Sequence, residues 1–511
     1  MIPQFKKCSF LTLILFVFLN QLSAQNIDKD KIEEWVQPHL KNSYAELYDF
    51  LKIPNDSHFL DQINKNINWL DQAFQKRNFK TRILKSSGNP SLFAEKIIDP
   101  DLKTVLFYFH LDGQAVDSSK WDQPNPYLPV LKENNELGKW KIVDWNNINS
   151  ASNEELRIFC RSSSDDKSPI IMLLSAMDVL DAHKQYPLFN VKVIMDGEEE
   201  IGSPNLPEIV DNYGDVLAAD MMLIFDGPRH ISNRPSIFFG CRGLAEIEIT
   251  VFGPKFAQHS GHYGNYAPNP ALNLSQLLAS MKDKQGRVII PGFYDGISID
   301  RETAKILNEV PDDAKEINQK LGIAEPEKVG ANYQESLQYP SLNIRGMASG
   351  WIGSEARTIV PSQATANIDI RLVVESDAER LIGLVKEHIL GQGFYVVDHL
   401  PADEEREKHQ RIAMFNYEFG NMAFRTDFDS EIGKWINRAM IKAFNENPVR
   451  VRTTGGTVPI SQFISKLGIE AVILPTVNLD NNQHSPNENL RIGNFNDGIK
   501  TMVAILTENI L

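Results

Sequence analysis

The chain is poor in three things, and each shortage removes a class of protein. Three cysteines in 511 residues cannot build a disulfide scaffold, and no two of them stand at the spacing of a thiolate metal site. Bases are outnumbered, 52 Lys+Arg against 67 Asp+Glu, and the net charge of -15 offers no cationic face, which argues against nucleic acid as a partner. Long apolar runs are missing too. The longest, Phe10 to Leu19, is too short to cross a bilayer comfortably. What is left, 42% hydrophobic and 23% charged residues, is the composition of a soluble globular protein, and the length calls for roughly two or three domains.

Lys6 and Lys7 precede the apolar run, and the polar stretch after it ends in Leu22-Ser23-Ala24. This is the pattern of a secretory signal peptide over residues 1–24. The expectation is an exported protein, periplasmic or secreted, with no stable membrane insertion after cleavage. An N-terminal membrane anchor is the alternative, because Leu22 is not the small residue a cleavage site prefers. Cleavage leaves only Cys160 and Cys241, and sequence alone does not say whether they are bridged.

Short apolar runs at Val105–Phe109, Val191–Met195, Met221–Phe225 and Ala471–Leu474 alternate with helix-length segments at Ser168–Tyr186, Leu206–Leu217, Ser430–Asn445 and Asn496–Ile510. Strands alternating with helices predict an α/β domain with a mixed, mostly parallel sheet covered by helices. Its ligands belong at the carboxyl ends of the strands. In the middle, Leu244–Val251 and Thr365–Val373 alternate apolar with polar residues, as strands with one solvated face do. With helices at Pro270–Lys282 and Asp377–Leu390 and strands at Ser341–Met347 and Phe394–Leu400, the order is β-α-β-β-α-β, that of an α+β ferredoxin-like domain. The expected organisation is a catalytic domain in two pieces, 25–239 and 427–511, and an inserted lid or dimerisation domain at 240–426. Residues 283–340 exceed what such a unit needs, and the pattern gives them no role.

The chemistry gathers where the strands end. The first run stops at His110-Leu111-Asp112, where residues two apart point to one side of a strand, so an imidazole can bind metal while the acid orients it. Arg161-Ser162-Ser163-Ser164-Asp165-Asp166-Lys167 sits between a strand and a helix. Asp196-Gly197-Glu198-Glu199-Glu200-Ile201-Gly202-Ser203 follows the third run, Asp226 the fourth, and Gln483-His484-Ser485-Pro486-Asn487-Glu488 lies beyond the last. Singly, each has an ordinary reading: a surface histidine, a helix cap, a solvated acidic loop. Together they are a mixed N/O set suited to zinc, or to manganese or cobalt. Five such residues are too many for one open tetrahedral site, whereas two cations sharing a bridging carboxylate use them all.

These motifs, in this order, resemble the M20 family of metallopeptidases, nearest its dipeptidase/carnosinase-like branch and related to glutamate carboxypeptidase and succinyl-diaminopimelate desuccinylase. The likeness runs from Leu51-Lys52-Ile53-Pro54 to the last helix. It implies two divalent cations, zinc first, held by His110, Asp165, Glu200, Asp226 and His484, with Asp165 bridging and Asp112 orienting His110. The family's Glu-Gly-x-Glu-Glu-x-Gly-Ser pattern makes Glu199 the general base, although the extra Glu198 leaves a one-residue slip open. The glycines flanking the family's bridging aspartate are replaced by Cys160, Ser162 and Ser168, which leaves the shape of that loop open as well. Gln258-His259-Ser260-Gly261 resembles the segment whose histidine crosses into a partner's site and polarises the scissile carbonyl. Thr358, Arg371 and the Gly455-Gly456-Thr457 loop resemble the groups that hold the substrate's terminal carboxylate.

The implied function is hydrolysis of an amide bond in dipeptides, or at the C-terminal end of short peptides, by a metal-activated water, in a homodimer formed through the inserted domain. The alternatives are an N-acyl amino acid deacylase, which needs the same metals and clamp, and more remotely a non-catalytic peptide-binding protein.

Overall fold

The computed structural model describes residues 27–135, 138–150 and 152–511; the expected signal peptide lies outside the described residues. Eight strands form the central sheet, in the order Lys80–Leu84, Ser91–Lys96, Asn190–Asp196, Thr104–His110, Met221–Ile224, Glu470–Ile473, Ser236–Phe238 and Val449–Val451. The four from Asn190–Asp196 to Glu470–Ile473 run parallel, while Lys80–Leu84 and Ser91–Lys96 extend one side as antiparallel neighbours. The strand Thr104–His110 is apolar throughout because both its faces are covered. Val105, Phe107 and Phe109 pack with Ile170, Ile436 and Ile499 from three helices. Leu106 and Tyr108 pack on the other side with Leu206, Ile209 and Phe463.

The helix after Asp165 spans Lys167–Ala182, and Arg77 ties it to its neighbours. Buried, Arg77 donates to the Leu174 carbonyl at 3.0 Å and pairs with Glu46 at 2.7 Å and Asp178 at 2.6 Å. A buried guanidinium is tolerated only when its donors are met in this way. Lys167 is fully buried as well. Its ammonium donates to the carbonyls of Phe50 at 3.1 Å and Ile53 at 2.5 Å, and burial lowers its pKa to about 7. Lys167 therefore anchors the start of this helix to the end of the helix Leu40–Leu51, away from the metal-type ligands.

A second, five-stranded sheet has the order Asn343–Ala348, Gln363–Leu372, Gly243–Phe252, Ile412–Phe419 and Tyr395–Val397. The helices Pro270–Ala279 and Ala378–Gly391 bury one face of it with Leu274, Leu381 and Val385, and the outward positions of its two longest strands are mostly half-exposed. One expectation needs correcting here. The strand after the second helix does not complete the β-α-β-β-α-β unit; it covers only Tyr395–Val397 and pairs parallel at the edge. The partner of Gly243–Phe252 is instead Ile412–Phe419, antiparallel. Ile412, Ala413 and Phe415 supply the buried side chains a central strand requires, whereas in Tyr395–Val397 only Val397 is buried.

The chain passes between the two sheets through a ribbon in which Gly240–Cys241 pairs with Phe424–Arg425. Residues 283–340, without a role in the sequence pattern, form a strap. Val288, Ile290 and Phe293 fill the core of the second sheet, and the helices Arg301–Glu309 and Ala314–Leu321 follow. Val310 then packs on Val449 and Val451 at the edge of the central sheet. Cys160 and Cys241 are buried free thiols. Among the described residues no helix is long and apolar enough to cross a membrane.

Candidate metal centre

His110, Asp196 and Asp226 mark the carboxyl ends of three adjacent parallel strands, so the sheet itself brings these loops together. Asp165 arrives differently. It follows Arg157–Phe159, a strand of a separate four-stranded antiparallel sheet that also contains Asn489–Arg491. That pairing delivers the Asp165 and His484 loops side by side. His484 itself stands at φ 58 in its loop.

The ligand-type atoms form two groups with one member in common: His110, Asp165 and Asp226, and Asp165, Glu200 and His484, each within 4.8 Å. The two oxygens of Asp165 face different histidines, Oδ1 lying 2.9 Å from His110 Nε2 and Oδ2 3.1 Å from His484 Nε2. His484 Nε2 is also 3.1 Å from Glu200 Oε2. Asp166, joined to Asp165 by a cis peptide bond, turns elsewhere and accepts the His110 backbone N–H at 3.2 Å.

Asp112 aligns both sides of the site. Its Oδ1 lies 3.4 Å from His110 Nδ1, a buried nitrogen without a hydrogen-bond partner. The same carboxylate accepts the backbone N–H groups of Glu199 at 3.2 Å and Glu200 at 3.0 Å. The three glutamates of the acidic run have different surroundings. Glu198 is buried and taken up by the Asn89 N–H at 2.6 Å and the Asn205 amide at 2.8 Å. Glu199 and Glu200 then form a single turn closed by Gly202 at φ 87, a conformation that favours glycine.

So many carboxylates in one dry corner repel one another. Burial, with the charges of Asp226, Asp165 and Glu200, holds the Glu199 carboxyl well above its ordinary range despite the attraction of His110. Burial and the Asp165 charge push Asp226 up to about 6. Asp165 is lowered instead, because hydrogen bonds from His110 and His484 outweigh its burial. Hydrogen bonds to Asp165 and Glu200 raise His484 to about 11. Divalent cations at the two groups would neutralise this excess of acid, and the N/O donors with an orphaned, acid-facing His110 Nδ1 fit them.

Glu488, which closes the His484 stretch, has no role in the sequence pattern. It is fully buried, and its carboxylate accepts from five donors: Arg161 Nη1 at 2.7 Å, Ser162 N at 2.8 Å, Ser164 N at 2.9 Å, Ser164 Oγ at 3.0 Å and Asp165 N at 3.1 Å. The shape of this loop, left open by its missing glycines, is thus set by a buried acid. Neighbouring Gly113 is required for space: a Cβ there would stand 2.2 Å from Ser162 Oγ.

The remaining residues fall into two groups. Arg371 Nη1 donates to Thr457 Oγ1 at 2.6 Å, beside Gly455 and Gly456. His259 and Thr358 share a small exposed ribbon, in which His259 pairs with Ile359 and the Thr358 carbonyl accepts the Ser260 N–H at 3.0 Å. Among the described residues no hydrogen bond or ion pair joins His259 or Thr358 to the metal-type cluster.

Comparisons with known proteins converge. A family model described as Peptidase family M20/M25/M40 matches residues 106–508. A Cys-Gly metallodipeptidase of Candida albicans is 28% identical over 423 residues, 80% of this chain and 79% of the relative. A human Beta-Ala-His dipeptidase is 26% identical over 428 residues, 82% of this chain and 77% of the relative. Among solved structures, an M20 family metallo-carboxypeptidase from Sulfolobus solfataricus aligns with a TM-score of 0.72 and 27% identity, covering 91% of this chain and 98% of that one.

Replacing Glu488 by Ala would strand the Arg161 guanidinium in the interior, at a cost of about 3–5 kcal/mol. Chemical denaturation of the metal-free protein should show that loss, with a smaller one for Glu488→Gln; a change within error would mean that the loop is held by other contacts.

Proposed function

The chain belongs to peptidase family M20/M25/M40, and from that premise we propose that it is a metal-dependent dipeptidase, cleaving dipeptides or the C-terminal bond of short peptides. The observation that carries this reading is Asp165, common to two ligand groups whose other members are His110 with Asp226, and Glu200 with His484. Relatives named for dipeptides favour that substrate class over N-acyl amino acids.

Cations at this site, zinc by family habit, supply Lewis-acid polarisation and make water acidic enough to ionise near neutral pH. The chain does the rest. Glu199 takes the proton of the attacking water and returns it to the leaving amine, a role open to a carboxylate placed beside the ligand groups. Arg371 and Thr457, already in contact, receive the terminal carboxylate and set the register of cleavage. Thr358 contributes to the same end of the substrate.

We further read 25–239 and 427–511 as the catalytic unit and 240–426 as an inserted lid that dimerises, so that His259 reaches the site of a second copy and donates to the carbonyl oxygen. Support comes from the exposure of His259 and of its apolar surroundings, Phe256, Tyr266, Trp351 and Ile352. A surface of this kind ordinarily meets a partner. Export remains the reading of residues 1–24, and N-terminal sequencing of the mature protein should begin at Gln25; a chain starting at Met1 would favour the anchor.

Glu199→Ala should keep its metal, by atomic absorption, while dipeptide hydrolysis falls about 10²–10⁴-fold; unchanged turnover would remove Glu199 from the reaction. Mixing inactive Glu199→Ala with inactive His259→Ala should restore activity in heterodimers, each holding one intact site. No recovery between subunits shown to exchange would refute the shared site.

A further inference from the structure

We infer that Arg242 is a second cationic contact for the substrate's terminal carboxylate, acting with Arg371; this rests on the dipeptidase reading above. Arg242 lies just before the strand Gly243–Phe252, whose Leu244 is paired with Arg371 across the ladder. Both arginines reach the same loop. The Arg242 backbone N–H donates to the Gly456 carbonyl at 3.1 Å, and Arg371 Nη1 binds the next residue, Thr457.

Arg242 is only 7% exposed, and its Nε is a buried donor without a partner. Its one side-chain hydrogen bond among the described residues is from Nη2 to the Tyr339 carbonyl at 2.9 Å, and no carboxylate pairs with it. Arg371 at least has Asp369, 4.0 Å from its Nε. Two guanidiniums therefore share a corner, and among the described residues no ion pair neutralises Arg242. Burial and repulsion from Arg371 lower the Arg242 pKa to about 10, which is the direction expected of a cation short of a counter-ion. A single carboxylate from the substrate restores neutrality and gives the buried donors an acceptor, as charge-assisted pairs do.

A purely structural role, pinning residues 283–340 through Tyr339, predicts something else, so the test separates the two. Cysteinylglycine and its C-terminal amide are assayed with zinc-loaded wild type, Arg242→Met and Arg242→Lys. The expected result is a fall of about tenfold to a hundredfold in kcat/KM for the free acid, carried by KM, with little change for the amide and partial rescue by lysine. Equal losses for acid and amide, or no loss, would overturn the assignment. A second arm does not depend on catalysis: calorimetric binding of glycine against glycinamide should lose its preference for glycine in Arg242→Met. If wild type hydrolyses no dipeptide yet this preference is present and lost, the dipeptidase reading falls and Arg242 stands. If wild type hydrolyses the dipeptide and the preference survives substitution, Arg242 falls and the function stands.

Discussion

The constraint on which the rest of the structure depends is the confinement of negative charge around Asp165. Asp112, Asp165, Asp166, Asp196, Glu199, Glu200 and Asp226 all converge on the ends of a few strands and their loops, most of them buried. Left alone, such a cluster raises its own pKa values and loosens the loops that carry it. Two devices counter this. Several acids are spent on backbone N–H groups: Asp112 on Glu199 and Glu200, Asp166 on His110, and Glu488 on the loop before Asp165. Asp196 is taken up by the hydroxyls of Ser203 and Tyr108, while Asp165, Glu200 and Asp226 are left facing histidines in two groups that share one carboxylate, an arrangement suited to cations.

What was legible in the sequence follows from this division. Residues at the ends of apolar runs could be placed because the period of a strand fixes which side chains share a side and where the run stops. His110, Asp112, Glu200 and Asp226 were found that way, and resemblance to the family supplied their roles. Glu488 could not be found so, because its partners are backbone groups more than 320 residues earlier. Only the pairing of Asn489–Arg491 with Arg157–Phe159 brings them together. The one hint was a lone glutamate a few residues past His484.

The same contrast explains the second sheet. Alternation identified Gly243–Phe252 and Gln363–Leu372, which have a buried and a solvated face. It misplaced the fourth strand because Ile412–Phe419 is an unbroken apolar run in its first half and is exposed in its second. Periodicity in residues 283–340 marks only the helices Arg301–Glu309 and Ala314–Leu321 and does not reveal a strap, which packs single side chains such as Phe293 and Val310 against two different cores. An element defined by where it lands has no pattern of its own to read.

The strap also bears on how the lid works. By joining the second sheet's core to the edge strand Val449–Val451, it leaves the Arg371 side of the lid attached to the catalytic unit through Arg452 with Gln338, Arg450 with Glu309, and His230 with Asp312. Among the described residues the His259 ribbon has no such tether to the cluster. Within one chain, then, the groups suited to a carboxylate are already seated beside the Gly455–Thr457 loop, while the histidine suited to a carbonyl oxygen stands in solvent. Gross folding of one lid over its own site would have to break the tethered side to bring in the free one. In the dimer proposed above, a histidine supplied by a second copy would require no such rupture, and the carboxylate contacts would then be set by folding and the oxyanion contact by assembly.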